Sequence, residues 1–278
     1  MIFNLHTHTK FSDGSEAPEK YVEEAIKQGF HTIGFSDHSP VPFENNFAIR
    51  EGMLGEYFKP IHDLAKNPGE VSILLGLEID YIPGITQPIN YYRRNFTFDY
   101  FIGSVHFVRN TNSKDLWFID GPKIEIYDRG LKEIFSGDIR KAVTAYYHQI
   151  NELIVNEKPD IIGHLDKIKM YNRERYFSEN DDWYIALVDE TLDLAGNSGC
   201  VIEVNTRGIY KKRSETLFPG PEILKKVKSL EIPITLSSDA HKPNELSLYF
   251  PEAKKILIDL GFNNLVLKKK DDWKEVPL

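Results

Sequence analysis

Short apolar runs rich in β-branched residues recur along the chain, separated by longer stretches in which apolar side chains return every three or four positions. Seven runs read as strands: "IFNLH" (2–6), "HTIGFSD" (31–37), "VSILLGLEI" (71–79), "DYFIGSVHF" (99–107), "DIIGHLD" (160–166), "CVIEVN" (200–205) and "IPITLSSD" (232–239). The intervening pattern predicts helices over 17–28, 54–66, 138–157, 182–196, 221–230 and 245–261, with Ser15 and Asp181 as N-cap candidates and Gly29 and Gly261 as terminators. The stretches 82–98 and 108–122 read as long loops. Alternating strand and helix implies a parallel sheet with helical crossovers, and seven strands suggest closure into a barrel. An open doubly wound sheet would often carry a glycine-rich turn after its first strand. Here the first strand runs instead into His6-Thr7-His8.

Composition narrows the picture. A chain of 278 residues with 41% hydrophobic content can bury the core of one large α/β domain or two small ones. We expect one domain over 1–278. No apolar run approaches the roughly 20 residues of a membrane span, and the N-terminal stretch lacks a basic-then-apolar leader pattern, so cytoplasmic residence is the expectation. The single cysteine, Cys200, lies in the apolar run "CVIEV" and reads as a small core hydrophobe. A formal charge of −8 argues against a duplex-binding protein, because neutralising a polyphosphate takes Lys and Arg. The C-terminal "LKKKDDWK" is mixed in sign and reads as a solvated tail or an edge strand.

The chemistry lies at the strand ends. Residues i and i+2 of an extended segment project from one face, so His6 and His8 can converge on one point. His and acidic residues recur at the C-terminal ends of the other strands: Asp37 and His38, Glu78 and Asp80, His106, His164 and Asp166, Glu203, then Asp239 and His241. In a parallel barrel those ends share one rim, where barrel enzymes keep their chemistry. Six of the nine histidines occupy such positions; His31 begins a strand, and His62 and His148 fall in helices. Six imidazoles with Glu78, Asp239 and Asp13 exceed what one tetrahedral site uses, so the count points to two or three divalent metals. A carboxylate such as Glu78 or Asp239 has two oxygens and can bridge a pair of ions.

These residues also carry a resemblance. "HTHTKFSDG", "GFHTIGFSDHSP", the lone Glu of "LLGLEIDYIPG", "GSVHF", "IIGHLD", "EVNTRG" and "LSSDAHKP" occur in the order found in the PHP (polymerase and histidinol phosphatase) superfamily. Within it the chain resembles the histidinol-phosphate phosphatase type. The resemblance implies a distorted seven-stranded (β/α) barrel with a trinuclear metal centre at the C-terminal rim. Carried onto this sequence, His6, His8, Glu78 and Asp239 would hold one ion. Glu78 would bridge to a second held by His106 and His164, and Asp13, His38 and His241 would hold the third. Mixed imidazole and carboxylate ligands leave Zn, Mn, Fe and Co open.

The activity so implied is hydrolysis of L-histidinol phosphate, a small phosphomonoester, to the alcohol and inorganic phosphate. A hydroxide bridging two ions would attack phosphorus, with Glu78, Asp239 and His241 as the catalytic candidates. Arg207, just past the sixth strand, is placed to form a guanidinium fork on phosphate; Ser104 and Lys211 are further candidates. Asp80, Tyr81, Trp117 and Asp120, in the overhanging loops, are candidates for reading the histidinol moiety. A broader small-molecule phosphatase, a phosphodiesterase or exonuclease, and a non-catalytic barrel stabilised by metal stand as alternatives. No nucleic-acid or membrane partner is expected.

Overall fold

A computed structural model describes residues 1–66, 69–111, 113–269 and 272–278. Seven parallel strands pair in chain order: β1 (Phe3–Asn4), β2 (Thr32–Phe35), β3 (Ser72–Asp80), β4 (Tyr100–Ser104), β5 (Ile161–Ile162), β6 (Val201–Asn205) and β7 (Ile234–Ser237). The ring is completed just beyond the strand ends. Thr7 and Ala240 form a parallel bridge, in which the His8 N–H donates to the Ala240 carbonyl at 2.8 Å and the Ala240 N–H to the His6 carbonyl at 3.1 Å. The outcome is the distorted seven-stranded barrel that the alternating pattern and the resemblance imply, with β1 and β5 reduced to two residues each.

The barrel interior is filled from β4. Tyr100 is fully buried, and its hydroxyl donates to the Leu5 carbonyl at 2.5 Å. Its ring takes the space where Gly34 and Gly76 lack side chains. A Cβ at Gly34 would lie 2.3 Å from the Tyr100 oxygen, and one at Gly76 would lie 2.4 Å from the ring. The glycines on two neighbouring strands are thus the counterpart of one large side chain on a third.

Helices α1 (Pro18–Lys27), α2 (Leu54–Lys66), α3 (Ile89–Asn95), α4 (Ile124–Phe135), α5 (Ile139–Glu152), α6 (Asp182–Ser198), α7 (Arg207–Tyr210), α8 (Pro221–Ser229) and α9 (Phe250–Asp259) accompany the strands. Several boundaries depart from the sequence reading. Ser15 does not cap α1; Ala17 holds that position, and the Ser15 N–H donates to the His241 carbonyl at 2.8 Å instead. Asp181 stands at the N-cap of α6, but its carboxylate accepts from the Ser178 N–H. α9 starts at Phe250 and not at 245, with Tyr249 at φ 68° before it and Pro251 in its first turn.

The two predicted loops hold structure as well. α3 lies within 82–98, and the run 99–107 breaks after Ser104 to feed an antiparallel hairpin of Phe107–Arg109 with Leu116–Phe118. Asn112, in that second loop, lies outside the described residues. At the C-terminus, Asn264–Lys269 and Asp272–Pro277 form another hairpin, so "LKKKDDWK" is paired strand on either side of Lys270 and Asp271, which lie outside the described residues. Leu265, Leu267 and Val276 of this hairpin are buried, and Leu267 and Lys268 face Thr32 and Ser72 at the starts of β2 and β3. It therefore covers the end of the barrel opposite the rim. Among the described residues, no helix is long and apolar enough to cross a membrane.

Candidate metal centre

The parallel register carries Glu78, near the end of β3, into the middle of the rim. Its Oε2 lies 3.3 Å from His6 Nε2 and 3.5 Å from His8 Nε2, while its Oε1 lies 3.2 Å from His164 Nε2 and 3.7 Å from His106 Nε2. One carboxylate thus faces two separate pairs of imidazoles, and its Oε2 also lies 3.1 Å from His38 Nδ1. Asp239 Oδ1 joins the first pair, at 3.3 Å from His8 Nε2 and 3.9 Å from His6 Nε2. A third group gathers beside it, with His241 Nε2 3.1 Å from Asp13 Oδ2 and His8 Nδ1 3.6 Å from Asp13 Oδ1. The His8 and His241 rings sit 4.2 Å apart and the His8 and His38 rings 4.6 Å apart.

The seam of the barrel makes this convergence possible. The Thr7–Ala240 bridge sets the first strand's exit against the last strand's exit, so His6, His8, Asp239 and His241 come from segments more than 220 residues apart. Two residues of the rim hold unusual backbone. His164 (φ 23°) and Asp239 (φ 53°) occupy the left-handed region that non-glycine residues avoid, at a cost of about 1–3 kcal/mol each. Hydrogen bonds hold both in place. The His164 N–H donates to Glu203 Oε2 at 2.8 Å, and the Asp239 carbonyl accepts from Arg207 Nη1 at 2.7 Å and from His241 Nδ1 at 3.0 Å.

Four sets of side chains offer ligand atoms within 4.8 Å of one another: His8, Asp13, His38 and His241; His6, His8 and Asp239; Glu78, His106 and His164; and His38, Asp80 and His106. Their chemistry suits divalent cations. His6 Nε2, both nitrogens of His8, Glu78 Oε2 and His164 Nδ1 are buried without a hydrogen-bond partner among the described residues. Such orphans are rare in proteins and costly unless something else binds them. His106 Nε2 and His164 Nε2 also face each other at 3.3 Å, a contact that a shared cation would relieve.

Outer carboxylates orient the rings. Glu203 accepts from His6 Nδ1 at 2.6 Å, and Asp80 accepts from His38 Nδ1 at 2.8 Å and from His106 Nδ1 at 2.5 Å, which leaves Nε2 of His6 and His106 for a metal. The electrostatics follow from these neighbours. Burial alone would lower His38, but Asp80 and Glu78 reverse that and lift it to about 10; Glu203, Glu78 and Asp239 likewise lift His6 against burial. His8 goes the other way, pushed down to about 3 by burial and by the neighbouring His241 and His38. Burial would raise Glu78 and Asp239, yet the surrounding imidazoles, and Arg207 for Asp239, hold both well below the usual carboxylate range.

Residues 4–207 match the model of the PHP domain. The chain belongs to the PHP domain family. This PHP domain is 27% identical over 273 residues to the probable histidinol-phosphatase of Deinococcus radiodurans, covering 97% of each chain. It is 28% identical over 259 residues to the histidinol-phosphatase of Bacillus subtilis, covering 87% of this chain and 94% of that one. Among solved structures it resembles the histidinol phosphate phosphatase of Lactococcus lactis complexed with zinc, L-histidinol and phosphate, with a TM-score of 0.70, 24% identity and 98% of each chain covered. A solved structure from Listeria monocytogenes shares the fold, with a TM-score of 0.75 at 21% identity and with 90% of this chain and 99% of that one covered.

In this PHP domain the nine residues singled out as metal ligands, His6, His8, Asp13, His38, Glu78, His106, His164, Asp239 and His241, all lie in the cluster. The substrate candidates scatter. Arg207 lines the open cavity above the cluster, but its Nη1 is committed to the Asp239 carbonyl, so the expected free fork is also a clamp on strained backbone. Asp80 is engaged by two histidines and orients them. Trp117 is fully buried on the other face of its hairpin strand, with its indole N–H on the Tyr127 carbonyl, and Phe118 lines the cavity in its place. Ser104 is buried beneath Gly163, and Lys211 pairs with Glu245 at 2.5 Å; neither lines the cavity. Tyr81 does not line it either, whereas Asp120 does.

Asp37 and Asp166 serve structure. Asp37 accepts from the backbone and hydroxyls of Thr9 and Ser12, which pins the loop carrying Asp13, and burial lifts its carboxyl to about 6 despite those bonds. Asp166 binds Lys169 and the Gly220 N–H. Two cavity cations escape the sequence reading: Lys167, paired with Asp120 at 2.8 Å, and Arg213. The role of Glu203 was signalled, because a charge in the strand "VIEVN" is anomalous unless it has a buried partner.

Proposed function

We propose that this chain, as one barrel unit over 1–278, is a metal-dependent phosphomonoesterase that hydrolyses L-histidinol phosphate to L-histidinol and inorganic phosphate. The observation that carries this reading is Glu78, whose two oxygens face two imidazole pairs inside a barrel of the PHP family. The names of the curated relatives support the substrate. His6, His8, Glu78 and Asp239 would hold one divalent ion, Glu78, His106 and His164 a second, and Asp13, His38 and His241 a third. Zinc, named in the Lactococcus lactis structure, is one candidate, beside manganese, iron and cobalt.

Phosphomonoester dianions react so slowly in water that an enzyme supplies on the order of 20 kcal/mol of transition-state stabilisation. Bound divalent ions contribute Lewis acidity, which makes water a nucleophile near neutral pH and neutralises phosphoryl oxygens. The chain's own groups position the reactants. Glu78 and Asp239 stay ionised and fix the centre of the cluster, and His241 is held by its Nδ1 bond to the Asp239 carbonyl. Arg207, Lys167 and Arg213 bring three cationic side chains to the cavity wall, where a phosphate dianion needs them. A cavity of about 290 Å³ suits a small phosphorylated metabolite better than a polynucleotide.

The test is phosphate release from L-histidinol phosphate by metal-loaded protein, with elemental analysis on the same sample. We expect turnover, about three ions per chain, and loss of activity on chelation that returns with added metal. Undiminished turnover after complete metal removal would refute the reading. So would a rate on L-histidinol phosphate no better than on p-nitrophenyl phosphate.

A further inference from the structure

β7 ends at Ser237, and the stretch Ser238 to His241 that follows carries two members of the cluster, Asp239 and His241. Its carbonyls are all bound. Ser238 accepts from the Tyr210 hydroxyl at 2.9 Å, Asp239 from Arg207 Nη1 at 2.7 Å, Ala240 from the His8 N–H at 2.8 Å and His241 from the Ser15 N–H at 2.8 Å. The His241 N–H has a different kind of partner. It donates to Glu245 Oε2 at 3.0 Å, across a short helical turn at Pro243–Glu245. A hydrogen bond to an ionised carboxylate is stronger than one between neutral groups.

Glu245 is buried, which is uncommon for a glutamate without a counter-ion. Lys211, directly after α7, supplies one: its Nζ lies 2.5 Å from Glu245 Oε1, and Arg207 Nη1 lies 3.8 Å from Oε2. The two oxygens thus have separate partners, Oε1 a cation and Oε2 the peptide of a ligand. Neither Glu245 nor Lys211 lines the cavity.

The need for such a hold differs across the cluster. Packing fixes His6, His8 and His164, whose side chains are at most 1% exposed, whereas His241 is 12% and Asp13 30% exposed. Where packing does not fix a side chain, hydrogen bonds must. The His241 ring is tied through Nδ1 to the Asp239 carbonyl and its peptide through Glu245, which together leave Nε2 facing Asp13 at 3.1 Å. We propose that Glu245, neutralised by Lys211, is a positioning residue of the metal centre: its bond to the His241 N–H holds that ligand in place before a divalent cation arrives, and so sets the affinity of the site formed by Asp13, His38 and His241. This rests on the ligand sets of the phosphomonoesterase reading. A ligand held in its binding geometry beforehand leaves less ordering for the cation to impose.

Zinc binding to the full chain tests the positioning role separately from turnover. Dissociation constants are measured by competition with a chromophoric chelator, and Asp13→Ala identifies the ion of the Asp13, His38 and His241 site as the one it removes. Glu245→Ala should weaken that ion about 10- to 100-fold and leave the others unchanged. Glu245→Gln keeps an oxygen for the His241 N–H and should recover most of the loss. Unchanged affinity in Glu245→Ala overturns the proposal, as does equal weakening of every ion, which would make Glu245 a general support of the fold. So does a loss in Glu245→Gln as large as in Glu245→Ala, which would assign the effect to the ion pair with Lys211. Should Glu245→Ala not fold, hydrogen exchange in the wild type decides: the His241 amide should already be protected in zinc-free protein, and free exchange there is fatal. Failure to release phosphate from L-histidinol phosphate, with this pattern of affinities intact, would strike the proposed reaction and leave the positioning role standing.

Discussion

The two ends of this barrel are built on opposite principles. At the C-terminal rim, His6, His8, Glu78, His164, Glu203 and Asp239 are buried, polar and in part unpaired, and two of them hold strained backbone. At the opposite end, Leu265, Leu267 and Val276 of the C-terminal hairpin are buried among apolar neighbours, and Lys268 is paired with Asp160 at 3.3 Å. The same strands run through both ends, so strand propensity does not explain the difference. The closed end and the packed flanks stabilise the barrel, and that margin tolerates a rim whose side chains satisfy ligands before they satisfy one another.

Exchanging the two kinds of change tests that division. Glu78→Gln should lower turnover on L-histidinol phosphate on the order of a thousandfold or more and deplete bound metal, because it removes the charge shared by two ligand groups. Leu267→Ala should instead cost about 2–5 kcal/mol of stability by creating a cavity, with turnover at 25 °C retained. Denaturant titration of the metal-free proteins decides between them: if Glu78→Gln destabilises as much as Leu267→Ala, the rim is structural after all.

A smaller effect sharpens the comparison within the rim. Glu203→Gln keeps the shape but weakens the carboxylate that orients His6, and should reduce metal affinity about 10- to 100-fold, read by competition with a chromophoric chelator. Because Glu203 also holds the His164 N–H, both ligand groups on Glu78 should loosen together.

The smallest effect is a pH dependence. His38 is lifted to about 10 in the metal-free fold from an ordinary value near 6.5, so its protonation stabilises that fold fully below about pH 6.5. That contribution is lost as pH rises toward 10. A metal must displace the same proton, so apparent affinity at the site proposed on Asp13, His38 and His241 should rise over the same interval. Metal titrations from pH 7 to 9 on wild type and His38→Asn check this, and an identical slope in the two proteins would contradict it.

What the sequence reveals of this molecule follows where local rules suffice. The HxH spacing needs only the alternation of a strand, and the bounds of α2 at Leu54 and Lys66 follow from its periodicity alone. α4 is hidden because Gly130 interrupts a helical pattern, and only the folded chain shows why: a Cβ there would lie 2.1 Å from the Trp117 ring. The same packing explains why Trp117 reads as a loop residue near substrate and turns out to be core. Arg207 is located correctly on the rim, yet its bond to the Asp239 carbonyl depends on a left-handed turn that no sequence pattern announces. Short helices such as α3, begun at Pro88 without a capping side chain, are invisible for a similar reason, since packing rather than propensity holds them.

The Thr7–Ala240 bridge carries one more implication, for the order of events in synthesis. His6 and His8 are made more than 220 residues ahead of Asp239 and His241, so the growing chain displays one half of the seam's chelating site long before the other half exists. Contacts of such wide sequence separation form late, because closing a long loop is entropically unfavourable until the intervening strands have assembled. Cation capture at the seam therefore doubles as a report that the ring has shut, and a chain ending before the seventh strand would lack Asp239 and His241, the seam's half of the centre.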